Sequence, residues 1–186
     1  MRVITGKAGS TRLTTIRGNQ TRPTSDRVRE SIFSILEPYL EDAIIFDLFA
    51  GAGTLGIEAL SRSAKKAWFV DSNNRCITTI KRNLSSCSLA DSAETIKGDA
   101  FRFIKAMAQK EVKADLIFAD PPYDTDLAKR ILDTIGGMDL LSDEGLLVIE
   151  HSKRQSLPDE SGNLKLFKQK TYGETQISFY ESASRR

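Results

Sequence analysis

Short apolar runs alternate with amphipathic stretches through most of the chain. The apolar runs at 43–46, 66–70, 93–96, 115–119 and 146–150 predict five strands. Between them, apolar residues at helical spacing predict helices that reach Arg62 and then span 73–86, 100–109 and 126–135. Repeated strand–helix units are typical of a parallel, doubly wound α/β sheet with helices on both faces.

The two ends of the chain have a different pattern. Residues 2–5 and 12–16 flank a glycine-containing turn and predict a small N-terminal β-hairpin, and a helix is expected from Pro23 to the Glu37-Pro38 pair. Near the other end, 165–172 and 176–180 predict two strands around Gly173. This second hairpin must place one antiparallel strand in a mostly parallel sheet of seven strands.

Composition restricts the class of protein. The chain has 186 residues, of which 40% are hydrophobic and 28% charged, as expected of one globular domain rather than a disordered chain or a coiled coil. Its longest apolar run is too short to span a membrane, and its first residues contain no signal-peptide core. Two cysteines and one histidine favour reduced thiols in a cytoplasmic protein over a disulfide framework or a zinc site.

Charge is unevenly distributed along the chain. Residues 1–30 contain seven basic and two acidic residues, a net charge of +5, so the remaining 156 residues have a net charge of −3. We therefore divide the single compact unit into a basic arm, residues 1–22, and a main domain, residues 23–186. A basic arm suits a polyanionic partner such as a nucleic acid, and a solvated basic surface is the alternative.

A glycine-rich turn follows the first strand of the main domain. Gly51, Gly53 and Gly56 match the pattern G-x-G-x-x-G, and Asp71 ends the next strand 20 residues after Gly51. The glycines allow a ligand to approach the backbone, and the acid accepts hydrogen bonds from ribose hydroxyls. This pattern predicts a site for a nicotinamide dinucleotide or another adenosine-containing cofactor.

Asp47 favours one of these cofactors. It lies inside the apolar run, where a carboxylate is costly unless it is paired. The pyrophosphate of a nicotinamide cofactor would be repelled, whereas S-adenosylmethionine has a cationic amino group and a sulfonium. We also expect Asp99 to accept from the adenine amine and the amide of Ala100 to face the adenine ring.

The tetrapeptide Asp120-Pro121-Pro122-Tyr123 follows the fourth strand, beside the expected cofactor crevice. The lone pair of an exocyclic base amine is conjugated with the ring. Asp120 and the carbonyl of Pro121 can both accept from the amine, which frees that lone pair for attack on a methyl group. The two prolines fix the carbonyl, and Tyr123 offers a face on which an extruded base can stack.

Three segments together resemble the bacterial RsmD family: residues 22–30 (RPTSDRVRE), the turn from Asp47 to Gly56, and Asp120–Tyr123. The resemblance spans nearly the whole chain. It implies a class I methyltransferase fold, S-adenosylmethionine as the methyl donor, and RNA docked near the N-terminal hairpin. No metal is expected. The implied reaction is methylation of N2 of a guanine in small-subunit 16S ribosomal RNA, with S-adenosylhomocysteine as product.

The predicted site has three parts. The residues assigned to catalysis are Asp120, Pro121, Pro122 and Tyr123. Those assigned to the cofactor are Asp47, Phe49, Ala50, Gly51, Gly53, Asp71, Ser72, Asp99, Ala100 and Asp120. Those assigned to RNA are Arg12, Arg22, Thr24, Arg27 and Arg29, although Thr24 also suits a helix cap and Arg27 an ion pair with Asp26 or Glu30.

Other functions share parts of these motifs. A DNA adenine-N6 or cytosine-N4 methyltransferase uses the same chemistry, and a protein-glutamine methyltransferase has a similar Pro-Pro-Tyr device. A dehydrogenase would need a substrate domain, and a non-catalytic RNA-binding protein would not need the tetrapeptide. The expected partner is small-subunit ribosomal RNA, free or within an assembling or assembled 30S particle. The protein is expected to be a cytoplasmic monomer with no membrane contact.

Overall fold

The computed structural model describes residues 1–16, 26–123 and 125–183. The helices are α1 Asp26–Leu36, α2 Thr54–Ser61, α3 Asn74–Ser86, α4 Ala100–Gln109 and α5 Leu127–Gly136. The strands are β1 Ile44–Leu48, β2 Lys66–Asp71, β3 Ala93–Lys97, β4 Ala114–Ala119, β5 Leu141–Ser152, β6 Glu160–Ser161, β7 Leu164–Tyr172 and β8 Thr175–Ser182. The α-helix ends at Leu36, before Pro38 as predicted, and the predicted start at Pro23 lies outside the described residues.

One sheet contains all eight of these strands, in the order β3-β2-β1-β4-β5-β8-β7-β6. Strands β1 to β5 are parallel, and β8 is antiparallel to β5, as expected for a terminal hairpin. The α/β fold is therefore confirmed, with the short strand β6 beyond the seven expected ones. From β1 the chain adds β2 and β3 on one side of the sheet and then crosses over to add β4 and β5 on the other side. Ligands of such sheets bind at this switch point between β1 and β4, beyond the carboxyl ends of the strands.

Helices cover both faces of the sheet. On one face, Phe33 of α1, Leu60 of α2 and Ile80 of α3 belong to one buried cluster. On the other, Phe103 of α4 and Ile131 of α5 belong to a second. The central strands β1 and β4 are buried on both sides, which explains their continuous apolar runs in the sequence.

The N-terminal hairpin is less regular than predicted. One antiparallel bridge, Arg2 to Arg12, stands where the sequence predicted two short strands. Val3, Ala8 and Leu13 are buried in the same cluster as α1, α2 and α3. Residues 1–16 therefore pack against the main domain through apolar side chains, although many of their other residues are exposed.

Buried polar groups hold the hairpin in place. The carboxylate of Glu58 on α2 accepts hydrogen bonds from the backbone amides of Ile4 and Thr5, at 2.7 and 3.1 Å. Glu58 is also paired with Arg62, at 2.8 Å, and lies 3.6 Å from Arg29. This network satisfies a carboxylate that would be costly to bury alone.

Strand β5 begins at Leu141, five residues before its predicted start. Its first part contains the exposed residues Asp143 and Glu144, which hid it from a search for apolar runs. None of the helices in the described part of the chain is long and apolar enough to span a bilayer.

Candidate active site

The predicted cofactor turn and the predicted catalytic tetrapeptide lie side by side. Strands β1 and β4 are neighbours, with Leu48 opposite Ala119 in the register. Phe49 follows Leu48 and Asp120 follows Ala119, so the two loops leave adjacent strands at the same edge of the sheet. The topology thus places both motifs at the switch point.

The backbone of the turn is unusual. Phe49, Gly51 and Gly53 have φ angles of +58°, +57° and +77°. A left-handed conformation is uncommon for phenylalanine, and strain of this kind clusters at ligand-binding sites. A Cβ on Gly53 would lie only 3.2 Å from Ile80 and 3.3 Å from Phe69, so a larger residue would push the turn outwards.

Asp47 is buried within β1, with 3% of its surface exposed. Its Oδ2 accepts a hydrogen bond from the amide of Gly56, at 3.0 Å. None of the ion pairs among the described residues includes Asp47. Burial raises the pKa of Asp47 to about 8, and the charge of Asp71 adds to the increase despite the Gly56 hydrogen bond. A buried carboxyl without a cation fits a cationic ligand such as S-adenosylmethionine.

Asp71 closes the turn from the neighbouring strand β2. One carboxylate oxygen accepts from the amide of Gly51, at 2.9 Å, and the other from the amide of Asn73, at 2.8 Å. Asp71 therefore also shapes the loop that was expected to hold the cofactor. Each carboxylate oxygen has a second lone pair, which leaves capacity for a ribose hydroxyl.

The other predicted cofactor residues lie at the ends of the adjacent strands. Ser72 is exposed directly after β2, and Phe49 and Ala50 are partly buried after β1. Asp99 follows β3 and caps α4 by accepting from the amide of Arg102, at 2.9 Å. The amide of Ala100 belongs to the first turn of α4, where backbone donors have no partner within the helix.

Asp120 lies at the mouth of this crevice. Desolvation raises the pKa of Asp120 above its ordinary value, and the carboxylates of Glu150 and Asp47 raise it further. Asp120 as a whole is exposed, so water offsets part of the desolvation while the repulsion from its two acidic neighbours persists. Pro121 is buried, and the carbonyl of Pro122 accepts from the hydroxyl of Thr125, at 2.8 Å.

Tyr123 is anchored by its hydroxyl. The hydroxyl donates to Oε1 of Glu150 on β5, at 3.0 Å, and lies 2.7 Å from Oγ1 of Thr175 on β8. Of the whole residue, 37% is exposed. Partial burial and the charge of Glu150 raise the pKa of Tyr123, so the phenol is protonated at neutral pH.

The predicted RNA-binding residues differ from one another. Arg12 and Arg27 are exposed, whereas Arg22 and Thr24 lie outside the described residues. Arg29 is fully buried: one guanidinium nitrogen contacts Asp26 at 2.8 Å and the carbonyl of Arg2 at 2.6 Å. The prediction that Arg29 contacts phosphate is therefore wrong, because its charge is used inside the protein.

Sequence reasoning missed three residues at this site: Glu150, Thr175 and Asn83. Glu150 had the one detectable signal, an acid at the end of an apolar strand. Nothing in the sequence marks Thr175 or Asn83, because their partners are distant in the chain.

His151, next to Glu150, has a structural setting. Its Nε2 lies 2.8 Å from the hydroxyl of Ser178, and its Nδ1 lies 3.0 Å from the carbonyl of Ser152. Burial lowers the pKa of His151. Among residues 1–16, 26–123 and 125–183, no three His, Cys, Asp or Glu side chains form a cluster that could hold a metal ion.

The fold and the site define an S-adenosylmethionine-dependent methyltransferase of the Rossmann-like class. The family model described as "Conserved hypothetical protein 95" matches residues 1–181, and the chain belongs to this family, the RsmD family.

Named relatives cover nearly the whole chain. "Putative rRNA methyltransferase YlbH" of Bacillus subtilis is 40% identical over 181 residues, 97% of this chain and 98% of that protein. "Ribosomal RNA small subunit methyltransferase D" of Haemophilus influenzae is 33% identical over 98% of this chain and 94% of its own length. The solved structure "Putative methyltransferase yhhF from Escherichia coli" has a TM-score of 0.85 at 31% identity and covers 98% of this chain and 97% of that one.

Proposed function

We propose that this protein transfers a methyl group from S-adenosylmethionine to the exocyclic N2 of a guanine in small-subunit ribosomal RNA. The observation that carries the proposal is the position of Asp120-Pro121-Pro122-Tyr123 next to the Asp47–Gly53 turn, at adjacent strand ends. The names of relatives that match nearly end to end support ribosomal RNA as the substrate.

Several residues would hold the cofactor. Asp47 would face its cationic part, Asp71 a ribose hydroxyl, and Asp99 with the amide of Ala100 the adenine. The turn at Phe49, Ala50, Gly51 and Gly53, with Ser72 nearby, would let the backbone approach it closely. When bound, S-adenosylmethionine supplies a methyl group activated by the adjacent sulfonium.

The tetrapeptide would prepare the base. Ionised Asp120 and the carbonyl of Pro121 accept from the two N–H groups of the amine, which localises the nitrogen lone pair towards the methyl donor. Pro121 and Pro122 restrict the backbone, and Tyr123 stacks on the base. Holding both reactants in place accounts for most of the rate increase that such a site provides.

The basic arm, residues 1–22, would guide RNA to the main domain, residues 23–186. Arg12 and Arg27 are exposed, and with Arg22 they are the proposed phosphate contacts. Such an arm contacts backbone and shape rather than base edges, which suits RNA folded within a 30S particle. We further propose that the enzyme is a monomer and, because its substrate is ribosomal, that it acts in the cytoplasm.

The test is methyl transfer from labelled S-adenosylmethionine to unmodified small ribosomal subunits, protein-free small-subunit RNA and duplex DNA, followed by nucleoside analysis. We expect N2-methylguanosine from a ribosomal substrate. N6-methyladenine or N4-methylcytosine from DNA would instead identify a DNA amino-methyltransferase.

A pair of variants tests the mechanism. Asp120→Ala should abolish transfer and keep the affinity for S-adenosylhomocysteine within a few-fold. Asp139→Ala, which removes an exposed carboxylate paired with Lys113, is the matched control and should remain active. A fully active Asp120→Ala protein would contradict the mechanism.

A further inference from the structure

The hydroxyl of Tyr123 connects three elements of the sheet edge. Tyr123 lies in the loop after β4, Glu150 near the end of β5 and Thr175 at the start of β8. The three residues are far apart in sequence, yet both partners lie within 3.0 Å of the same phenol oxygen. A tyrosine that served only as a flat surface for a base would not need two partners for its hydroxyl.

The chemistry of the three groups gives the chain of hydrogen bonds a direction. Oε1 of Glu150 accepts from the Tyr123 hydroxyl, so the single phenol proton points to Glu150. The phenol oxygen is then free to accept, and the Thr175 hydroxyl, 2.7 Å away, donates to it. The order of donation along the chain of hydrogen bonds is therefore Thr175 to Tyr123 to Glu150.

Glu150 is a buried acid near the end of strand β5. Only 6% of its surface is exposed, and burying a carboxylate at the end of an apolar strand is unfavourable without specific partners. Packing alone would favour an apolar residue here, as at Val148 and Ile149. One such partner is the hydroxyl of Tyr123, which donates to Oε1 of Glu150 at 3.0 Å.

We propose that Glu150, with Thr175, is a positioning residue that fixes the ring of Tyr123 beside Asp120, so that the stacked base presents its amine to the catalytic carboxylate. The inference rests on the proposed function, because it assumes that a base stacks on Tyr123. Pro121 and Pro122 restrict the loop backbone on one side, and the two hydrogen bonds stop the ring from rotating about its side-chain torsions. Glu150 itself does not touch the reacting atoms.

The first experiment is a double-mutant cycle on methyl transfer. Tyr123→Phe keeps the ring and removes the hydroxyl, and Glu150→Ala removes its acceptor. Each should lower kcat roughly 10- to 100-fold, the size of effect expected from a misplaced reactant. Affinity for S-adenosylhomocysteine should stay within a few-fold. We call the two hydrogen bonds of the Tyr123 hydroxyl, to Glu150 and Thr175, the Tyr123 tether. Because Tyr123→Phe and Glu150→Ala both break this tether, the double variant should be no slower than the slower single variant.

Matched controls separate the tether from general damage to the hairpin. Thr175→Val removes the donor to Tyr123 and should also lower kcat. Thr171→Val removes a hydroxyl on the same hairpin, one that accepts from Gln176, and should leave kcat unchanged. Fold-changes that multiply in the double variant, or equal losses in the two threonine variants, would overturn the proposal.

Glu150→Gln separates the charge of residue 150 from its hydrogen bond to Tyr123. Glutamine can still accept from Tyr123, so most of the rate should be retained. The charged groups that face Asp120 are Asp47 from β1 and Glu150 from β5. Asp120 acts as the ionised acceptor, so activity falls as the pH drops through its pKa. Removing the negative charge of Glu150 should move this fall in activity to lower pH. Glu94→Gln, at the far edge of the sheet, is the control and should not move it.

A spectroscopic test does not depend on the substrate. The chain has four tyrosines, and in protein labelled at the tyrosine ring carbon Cζ the Tyr123 resonance is the one lost in Tyr123→Phe. Glu150→Ala should shift this resonance, and Thr175→Val should shift it together with that of Tyr172, which pairs with Thr175 across the hairpin. An unmoved resonance would show that the tether is absent. A wild-type protein that methylates no nucleic acid would overturn the proposed function even where the resonance shifts, whereas shifted resonances with undiminished transfer would overturn only the positioning role.

Discussion

The side-chain amide of Asn83 on α3 donates a hydrogen bond to the carbonyl of Ala52, 2.9 Å away, in the middle of the cofactor turn. The same side chain accepts from the amide of Thr14, at 2.8 Å, and donates to its carbonyl, at 3.0 Å. Asn83 is almost fully buried. One side chain thus joins the N-terminal hairpin directly to the turn at the proposed methyl-donor site.

Replacing Asn83 should weaken both folding and cofactor binding. Asn83→Ala removes three partly buried hydrogen bonds to the backbone of Thr14 and Ala52, which should lower the free energy of unfolding by roughly 1–2 kcal/mol. Affinity for S-adenosylhomocysteine should fall several-fold, because the turn loses a support. Chemical denaturation and calorimetry measure the two effects.

The control for this change is Asn74→Ala, an exposed position at the start of the same helix. It should alter neither quantity. Loss of stability in Asn83→Ala with full cofactor affinity would show that the turn does not depend on Asn83.

We expect cofactor binding to release a proton from Asp47. Its pKa of about 8 means that the carboxyl is largely protonated at pH 7 in the free protein. A bound cation favours the ionised form, so binding should release a proton. Calorimetry of S-adenosylmethionine binding in buffers of different ionisation enthalpy measures this release. Asp47→Asn should release fewer protons than the wild type; equal release from both proteins would contradict the assignment.

The same carboxyl should make the free protein less stable as the pH rises. Its folded pKa exceeds the unfolded value of 3.8, so the folded state holds the extra proton between about pH 4 and pH 8. The stability that this proton provides is complete below pH 4 and is lost as the pH rises to 8. At pH 7 the loss is at most roughly 4 kcal/mol. In thermal unfolding, Asp47→Asn should flatten this decline, and an unchanged pH profile would argue against a buried neutral Asp47.

Two neighbouring arginines should respond in opposite ways. Arg29→Ala leaves the buried Glu58 with one cation fewer and should lower the free energy of unfolding by roughly 3 kcal/mol. Arg27→Ala, at an exposed position of the same helix, should change stability by less than about 0.5 kcal/mol. It should instead weaken binding to ribosomal RNA and reduce the salt dependence by about one counterion. A stable Arg29→Ala protein with weakened RNA binding would restore the phosphate contact that the structure argues against.

Gly56 should be intolerant of a side chain. A Cβ there would lie 2.4 Å from Cε1 of Phe69 and 3.0 Å from Oδ2 of Asp47. Gly56→Ala should therefore lower the free energy of unfolding by roughly 1–3 kcal/mol. Gly98→Ala, where the new atom would meet only Ile96 at 3.8 Å, is the control and should be nearly neutral in denaturant titrations. Equal stability of the two variants would mean that Phe69 moves aside freely.

The features that were predicted best from the sequence are helix and strand boundaries that depend on residues close together in the chain. Helix α4 was predicted with its observed ends, and the start of β2 was also correct, because periodicity and capping are local properties. The two loops of the site could be placed because strand order in an α/β fold brings carboxyl ends together. The two-residue strand β6 has no periodicity of its own and forms only because β7 lies beside it.

What could not be predicted depends on distant partners. Arg29 and Arg27 look alike in the sequence, and only the position of Glu58, 29 residues after Arg29, makes one of them a buried ion. The hydroxyl of Thr175 is 52 residues from Tyr123 along the chain, so no local pattern could connect them.

The attachment of the N-terminal hairpin also constrains how the protein is made. Its polar partners Glu58, Ser61 and Asn83 are 53 to 69 positions later in the chain. During translation, residues 1–16 are synthesised before α2 and α3, so their full set of contacts cannot form until Asn83 has been added to the chain. Contacts of such long sequence separation form slowly. The attachment of the hairpin is therefore a late step that the growing chain completes only after α3 has been made.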